Sequence, residues 1–212
     1  MPGRAWLISA PRASLQSCLT KQRQLKIWPA VLIVLIFVAT AVQLRLQGRL
    51  WWCNCRSFLW TSDAWGSLTS QTFLDPYSFT HLLHGFMLAG LLLLLFRFVV
   101  KRNVPTSWRL VIVMSLEALW EILENTNAVI DRYREATAAL GYQGDSVVNS
   151  LGDMVCCGLG LLIARKLGWL RSLPIFIVSE IVLLFWIRDS LILEMIMLIR
   201  PIDFIKQWQL GH

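Results

Sequence analysis

Three glutamates inside an apolar segment constrain this chain more than any other feature. The stretch Glu117-Ala-Leu-Trp-Glu121-Ile-Leu-Glu124-Asn125 follows Trp108-Arg-Leu-Val-Ile-Val-Met-Ser-Leu116, which is apolar enough to lie in a bilayer. At roughly 100° per residue, a helix places Glu117, Glu121 and Glu124 within about 60° of arc. A carboxylate at that depth costs several kcal/mol unless it is paired, protonated or facing a wet cavity. The ladder must therefore turn toward the inside of a helical bundle, and it marks a functional site by default.

Composition agrees with a membrane setting. Of 212 residues, 56% are hydrophobic and 16% charged, against about 25% charged in soluble domains. Eleven Trp suit interfacial aromatic belts. The net charge of +7 does not indicate nucleic acid, because the basic residues gather at the ends of apolar segments instead of forming a face on a soluble fold. The five cysteines are not a disulfide framework. Cys53-Asn-Cys55 is too tight for an ordinary bridge and too sparse for a zinc site, and Cys156 and Cys157 read as packing residues.

Residues 1–26 form a basic tail with Arg4, Arg12, Lys21, Arg23 and Lys26 and no acid. The apolar run 27–44 resembles a secretory signal, and Ala39-Thr-Ala41 a cleavage site. Its long basic lead and its length favour an uncleaved anchor. The remainder, 27–212, reads as one helical membrane domain. Spans are expected at 27–44, 77–100, 108–124, 145–164 and 173–187, with a short interfacial or re-entrant helix at 191–199. A polar-aromatic surface loop fills 45–76, a polar loop fills 125–144, and 201–212 is an amphipathic tail. The fold class is thus an all-α membrane protein of five spans. Segments assigned inside hold twelve of the twenty Lys and Arg and none of the thirteen acids. The positive-inside rule then places the N-terminus in the cytoplasm, and five spans place the C-terminus in the periplasm.

That topology brings unusual polar residues to one end of the bundle. His81 and His84 open the second span, Glu121 and Glu124 close the third, and Asp145 opens the fourth, with Glu117 and Asp153 about two turns deeper. Asp145, Asn149 and Asp153 share one helix face, and His81 and His84 are neighbours at i, i+3. Imidazole with carboxylate is a ligand set for zinc, manganese or iron, and equally a general acid–base set. The reading assigns His81 and His84 to a divalent metal ion. Glu117, Glu121, Glu124, Asp145, Asp153 and Asn149 are assigned to catalysis, and Arg132 and Arg134 to an anionic headgroup. Each also has a plainer reading. The histidines can donate to backbone carbonyls, the glutamates can bond neighbouring helices, and the arginines can pair with Asp131 and Glu135. Trp120 reads as a packing aromatic, and Glu180 as a partner for Arg188.

Several stretches carry a resemblance. Tyr77-Ser-Phe-Thr-His81-Leu-Leu-His84-Gly85-Phe86, the Glu117–Asn125 ladder, Ile130-Asp-Arg-Tyr-Arg134, Tyr142-Gln-Gly-Asp-Ser-Val-Val-Asn-Ser150 with Asp153, and Ile187-Arg-Asp189 are similar to an uncharacterised, multi-pass bacterial inner-membrane family of unknown function. More distantly, His84, Glu121, Arg134, Asp145, Asn149 and Gly152 resemble the VanZ-like membrane proteins associated with glycopeptide resistance. Glu124 stands where that group has Gln, and the Asp-Lys before its histidine is missing. The resemblance implies an envelope-facing role and no particular reaction.

Three functions fit. One is a membrane-embedded enzyme acting on a lipid or lipid-linked headgroup at the outer face of the inner membrane. Another is a non-catalytic envelope or assembly factor whose polar core only fixes helix packing. The third is a small ion-coupled transporter, although neither repeated halves nor broken helices are evident.

Overall fold

The computed structural model describes residues 12–53 and 59–211, with side chains from residue 27 onward. Much of the basic tail and the Cys55 half of the dithiol lie outside the described residues. Cys53 is disulfide-bonded, so the chain carries a bridge that its cysteine spacing does not suggest.

Among the described residues every regular element is helical: α1 (Arg12–Leu46), α2 (Ser78–Leu94, extended by a π-helical turn, Leu95–Val99), α3 (Thr106–Glu124), α4 (Asn127–Ala136), α5 (Val147–Leu167), α6 (Trp169–Trp186), α7 (Leu191–Ile199) and α8 (Asp203–Leu210). Four segments among the described residues are long and apolar enough to cross a membrane: Ile27–Leu46, Ser78–Val99, Val147–Leu167 and Trp169–Trp186. The fifth expected span is α3. It is 19 residues long, but Arg109 and the three glutamates reduce its apolar character. It buries Val113, Met114, Glu117, Ala118, Glu121 and Glu124 and exposes Leu116, Leu119 and Leu123. The acidic face is therefore the inner face, as the burial cost of a carboxylate in lipid requires.

The bundle is organised on α5, which packs most extensively on α2. These two helices run parallel, since Gly152 meets Phe73, Gly160 meets Leu82, and Gly90 meets Trp169. Their crossing has no room for a side chain. A Cβ on Gly85 would lie 2.1 Å from the Cys157 carbonyl oxygen, and one on Gly160 would lie 2.0 Å from that of Leu82. Small residues allow backbones to approach this closely, which is how helices gain packing energy in a lipid medium that offers no hydrophobic drive. α3 then packs on α1 and α5, around an apolar core of Leu92, Val113, Met114, Cys157 and Leu161.

Two regions differ from expectation. The polar loop expected at 125–144 contains α4, which buries Ile130, Tyr133 and Ala136 on one face. Glu180 does not pair with Arg188. Its Oε1 and Oε2 accept the N–H groups of Leu191 (3.1 Å) and Ile192 (3.0 Å) at the start of α7. At the other end of α7, Arg132 donates to the carbonyls of Leu198 (2.8 Å) and Ile199 (3.2 Å). The short helix expected at 191–199 is thus present and is capped at both ends by side chains from other helices.

Candidate functional site

The site lies where the apolar helices end or begin. Asp75 starts the local architecture. Its Oδ1 accepts the N–H groups of Tyr77 (2.8 Å) and Ser78 (3.2 Å), and its Oδ2 accepts that of Ser70 (2.7 Å). An aspartate before a proline thus satisfies orphan donors at the entry to α2. Ser146 caps α5 by accepting from Asn149 N–H (3.2 Å). The Ser146, Val147 and Val148 amides donate to the carbonyls of Ser70, Leu50 and Trp51. The loops after α1 and before α2 are thereby stitched to the start of α5.

Below these loops, helices α2 and α3 place His81 and His84 against Glu117. Glu117 Oε1 lies 2.7 Å from His81 Nδ1 and 3.1 Å from His84 Nδ1, and Glu117 Oε2 lies 3.1 Å from the latter. An ionised carboxylate only accepts, so each ring directs an Nδ1–H at it and keeps Nε2 for another partner. The rings meet edge to face at 5.0 Å, and Trp120 packs edge-on to His84 at 6.0 Å. Glu121 Oε1 approaches His81 Nδ1 to 3.3 Å, and Asp153 Oδ2 is 4.0 Å from His81 Nε2. Asp153 Oδ1 accepts from the Ser78 hydroxyl at 2.7 Å. The helix ends are not level. His81, one turn into α2, meets Glu117, two turns before the end of α3, although sequence spacing sets Glu117 deeper than the histidines.

Above His81 opens a cavity of about 920 Å³, lined among others by Arg49, Tyr77, Glu124, Tyr133, Asp145, Asp153, Asp189 and Glu194. Its charged lining is mostly acidic, with Glu124, Asp145, Asp153, Asp189 and Glu194 against Arg49. Burial pushes the carboxyls of Asp75 and Asp145 above the usual range. Backbone N–H bonds oppose the rise at Asp75, and bonds from Ser70, Asn125 and Tyr142 oppose it at Asp145. At Asp189, burial and the nearby Glu194 carboxylate both act upward. Among the described residues, the one Lys or Arg ion pair with a carboxylate is Arg134–Asp131 at 3.3 Å, between exposed or half-exposed side chains. The cavity acids have no such counter-ion.

The comparisons with known proteins can be set beside this geometry. Residues 44–211 match a family described as "Protein of unknown function (DUF2585)". The chain belongs to the DUF2585 family. It is 40% identical over 192 residues to the UPF0314 protein R03235 of Rhizobium meliloti (strain 1021), covering 90% of this chain and 94% of that one. It is 37% identical over 182 residues to a UPF0314 protein of Brucella anthropi, covering 86% and 90%. With the UPF0314 protein Atu8092 of Agrobacterium fabrum (strain C58 / ATCC 33970), identity is 45% over 140 residues, covering 66% and 68%. No solved structure shows a significant match.

In this DUF2585 chain, the residues expected to form the site separate into groups. His81, His84, Glu117, Glu121 and Glu124 converge, and Asp153 adjoins them. Asp145 and Asn149 line the cavity but also hold loops. Asp145 Oδ2 accepts from Asn125 (2.8 Å) and the Tyr142 hydroxyl (3.0 Å), and Asn149 donates to the Thr72 carbonyl (2.8 Å). The expected anion-binding pair does not join them. Arg132 caps α7, and Arg134 donates to the Tyr142 carbonyl (2.5 Å) and pairs with Asp131. Neither is among the residues lining the cavity, where the guanidinium is that of Arg49. Sequence reasoning missed Arg49, Asp75, Tyr133 and Glu194 as site residues. Of these, only Asp75 had a local signal, the Asp-Pro pair before an apolar helix.

Proposed function

We propose that this DUF2585 protein acts on a lipid or lipid-linked headgroup at one face of the bacterial inner membrane, with His81 as its proton-handling group. The observation that carries the reading is the position of the cavity. Its walls come from the end of α1, the start of α2, the last residue of α3 and the start of α5, the level at which a bilayer presents headgroups to an embedded protein. Its volume suits a ligand of that size. In this reading Glu117 fixes the tautomer of His81 and stabilises the imidazolium that forms when Nε2 takes a proton from a hydroxyl or water in the cavity. Arg49 meets an anionic group. Its terminal nitrogens donate to the Gln143 and Gln47 carbonyls, while its Nε is buried and has no hydrogen-bond partner among the described residues.

Orientation follows from charge. The basic end, with Arg97, Lys101, Arg102, Arg109, Arg165, Lys166 and Arg171, faces the cytoplasm, and the cavity opens on the opposite side. A second reading, a non-catalytic envelope factor, draws on the loop-holding roles of Asp145 and Asn149.

Purified wild type, His81→Gln and Arg49→Ala in native-lipid discs separate the two. Mass spectrometry should find a lipid or lipid-linked species enriched over bulk membrane in wild type and His81→Gln. It should be depleted at least tenfold in Arg49→Ala, the expected loss for a charge-assisted contact of about 1.4 kcal/mol or more. Lipid content equal to the bulk membrane in all three sinks the headgroup reading and leaves the envelope factor.

A further inference from the structure

We propose that Glu121, Glu124 and His81 bind a divalent transition-metal ion at the floor of the cavity. Two buried groupings have metal-ligand geometry, and they share His81. One ligand atom each from His81, His84 and Glu117 lies within 4.8 Å of the others, and the same holds for His81, Glu121 and Glu124. Donors about 2.1 Å from a four-coordinate ion lie about 3.4 Å apart, so binding draws these atoms inward by up to about 1.4 Å.

Hydrogen bonding tells the two groupings apart. Glu117 is occupied, since both of its oxygens accept from imidazole Nδ1. The first trio is therefore closed on itself. Glu121 is fully buried, and among the described residues neither of its oxygens has a hydrogen-bond donor; Glu124 Oε2 is also buried without one. The approach of His81 Nδ1 to Glu121 at 3.3 Å does not fill that vacancy, because the Nδ1 proton is directed at Glu117. Buried carboxylate oxygens left without donors are costly. Among the described residues no Lys or Arg pairs with them. A divalent cation answers both carboxylates at once.

The remaining parts fit the same assignment. A histidine that ligates a metal through one nitrogen usually donates its other N–H to a carboxylate, which orients the ring and raises its basicity. Glu117 does this for His81 through Nδ1, and it is also Nδ1 that approaches Glu121, at 3.3 Å, so Nε2, 4.0 Å from Asp153 Oδ2, becomes the ligand atom once the ring turns toward the two carboxylates. His84 then acts through Glu117 as a positioning residue, not as the ligand that sequence spacing suggests. One imidazole with two carboxylates selects zinc, manganese or ferrous iron over calcium or magnesium. Because His81 and Glu124 both line the cavity, the ion would keep open positions toward it, as catalytic metals do.

The test uses the full chain in detergent, stripped with a chelator and titrated with Zn²⁺, Mn²⁺ and Co²⁺ individually. Wild type should retain about one ion per chain after desalting, with the melting temperature raised by about 5–10 °C at a hundredfold excess over Kd. Bound Co²⁺ should show visible d–d bands. Glu121→Gln should lower affinity at least a hundredfold, and His84→Gln by about tenfold, as loss of an outer partner does. Folded wild type that binds none of the three ions overturns the proposal, as does Glu121→Gln binding as tightly as wild type. Should Glu121→Gln fail to fold, Glu124→Gln takes its place, and the wild-type Co²⁺ bands decide alone. The inference rests on the same cavity as the headgroup reading but replaces the proton-handling role given to His81 there, since an Nε2 that holds a metal takes no proton; no lipid enters the measurement. Failure of the metal assignment leaves the headgroup reading standing, and the reverse also holds.

Discussion

The two ends of this bundle handle charge in opposite ways. At the basic end, Arg97, Lys101, Arg102, Arg165, Lys166 and Arg171 are exposed. Arg109 bonds the Val104 carbonyl (2.9 Å) and lies over the Phe96 ring at 5.3 Å. Long cationic side chains reach water from a helix end, so this end has little at stake. At the other end, Glu117, Glu121, Asp145, Asp153 and Asp189 are turned inward and buried. Acids on short side chains cannot reach out in the same way, and they stay only where the surroundings answer them. The comparison teaches that a charge near the membrane boundary is informative when its side chain points toward the protein, whatever its depth.

The largest effect should come from joining both ends to one failure. Gly160→Leu puts side-chain atoms into the Leu82 backbone and separates α2 from α5, at a cost of more than about 4 kcal/mol. Folded yield and melting in detergent should both collapse. A variant that folds normally would show that the crossing does not position the histidines.

Next in size is a direct comparison of the ends. Glu117→Gln leaves two buried imidazoles facing an amide and should cost about 2–3 kcal/mol. Arg165→Gln at the exposed end should stay within about 0.5 kcal/mol. Equal melting shifts for the two variants would erase the contrast.

A smaller effect is pH-dependent. Asp189 is held above its usual range by burial and by Glu194 and Glu180, while Ser190 N–H and the Tyr77 hydroxyl oppose the rise. The folded state therefore holds the Asp189 proton more tightly than the unfolded chain. Its contribution to stability is complete below the unfolded value near 4 and is lost as pH rises through the folded value. Between the two, the slope is up to about 1.4 kcal/mol per pH unit. Melting temperature should fall as pH rises from about 4 through that range, and Asp189→Asn should flatten the fall. An unchanged slope in Asp189→Asn assigns the dependence to other acids.

The smallest effect concerns α7. Glu180→Gln keeps one acceptor for the Leu191 and Ile192 amides and should cost about 1 kcal/mol. Hydrogen exchange at those two amides should speed up while α5 is unaffected.

Much of this was legible in the sequence, for reasons tied to particular residues. The Glu117–Glu124 ladder could face only inward, because lipid tolerates nothing else. The short apolar run at 191–199 could not span, because nine residues are too few. What escaped depended on tertiary placement. The α4 helix hid behind a polar composition that left only Ile130, Tyr133 and Ala136 to mark its buried face. Sequence spacing implies level helix ends, whereas His81, one turn into α2, meets Glu117, two turns before the end of α3. No local rule shows the Arg132 guanidinium reaching a carbonyl more than sixty residues away, whereas the Arg134–Asp131 pair lies within one helical turn and is the plainer of the two readings the sequence offers.

The clamped helix α7 has a mechanical consequence. Nine residues are too few to hold a helix together in isolation, yet its first amides rest on Glu180 and its last carbonyls on Arg132. It behaves as a beam fixed at both supports, one in α6 and the other in α4. Glu194 sits on that beam and accepts from the Tyr133 hydroxyl at 2.7 Å, so this wall of the cavity has its shape before any guest arrives. A ligand touching Glu194 would pay little ordering entropy there.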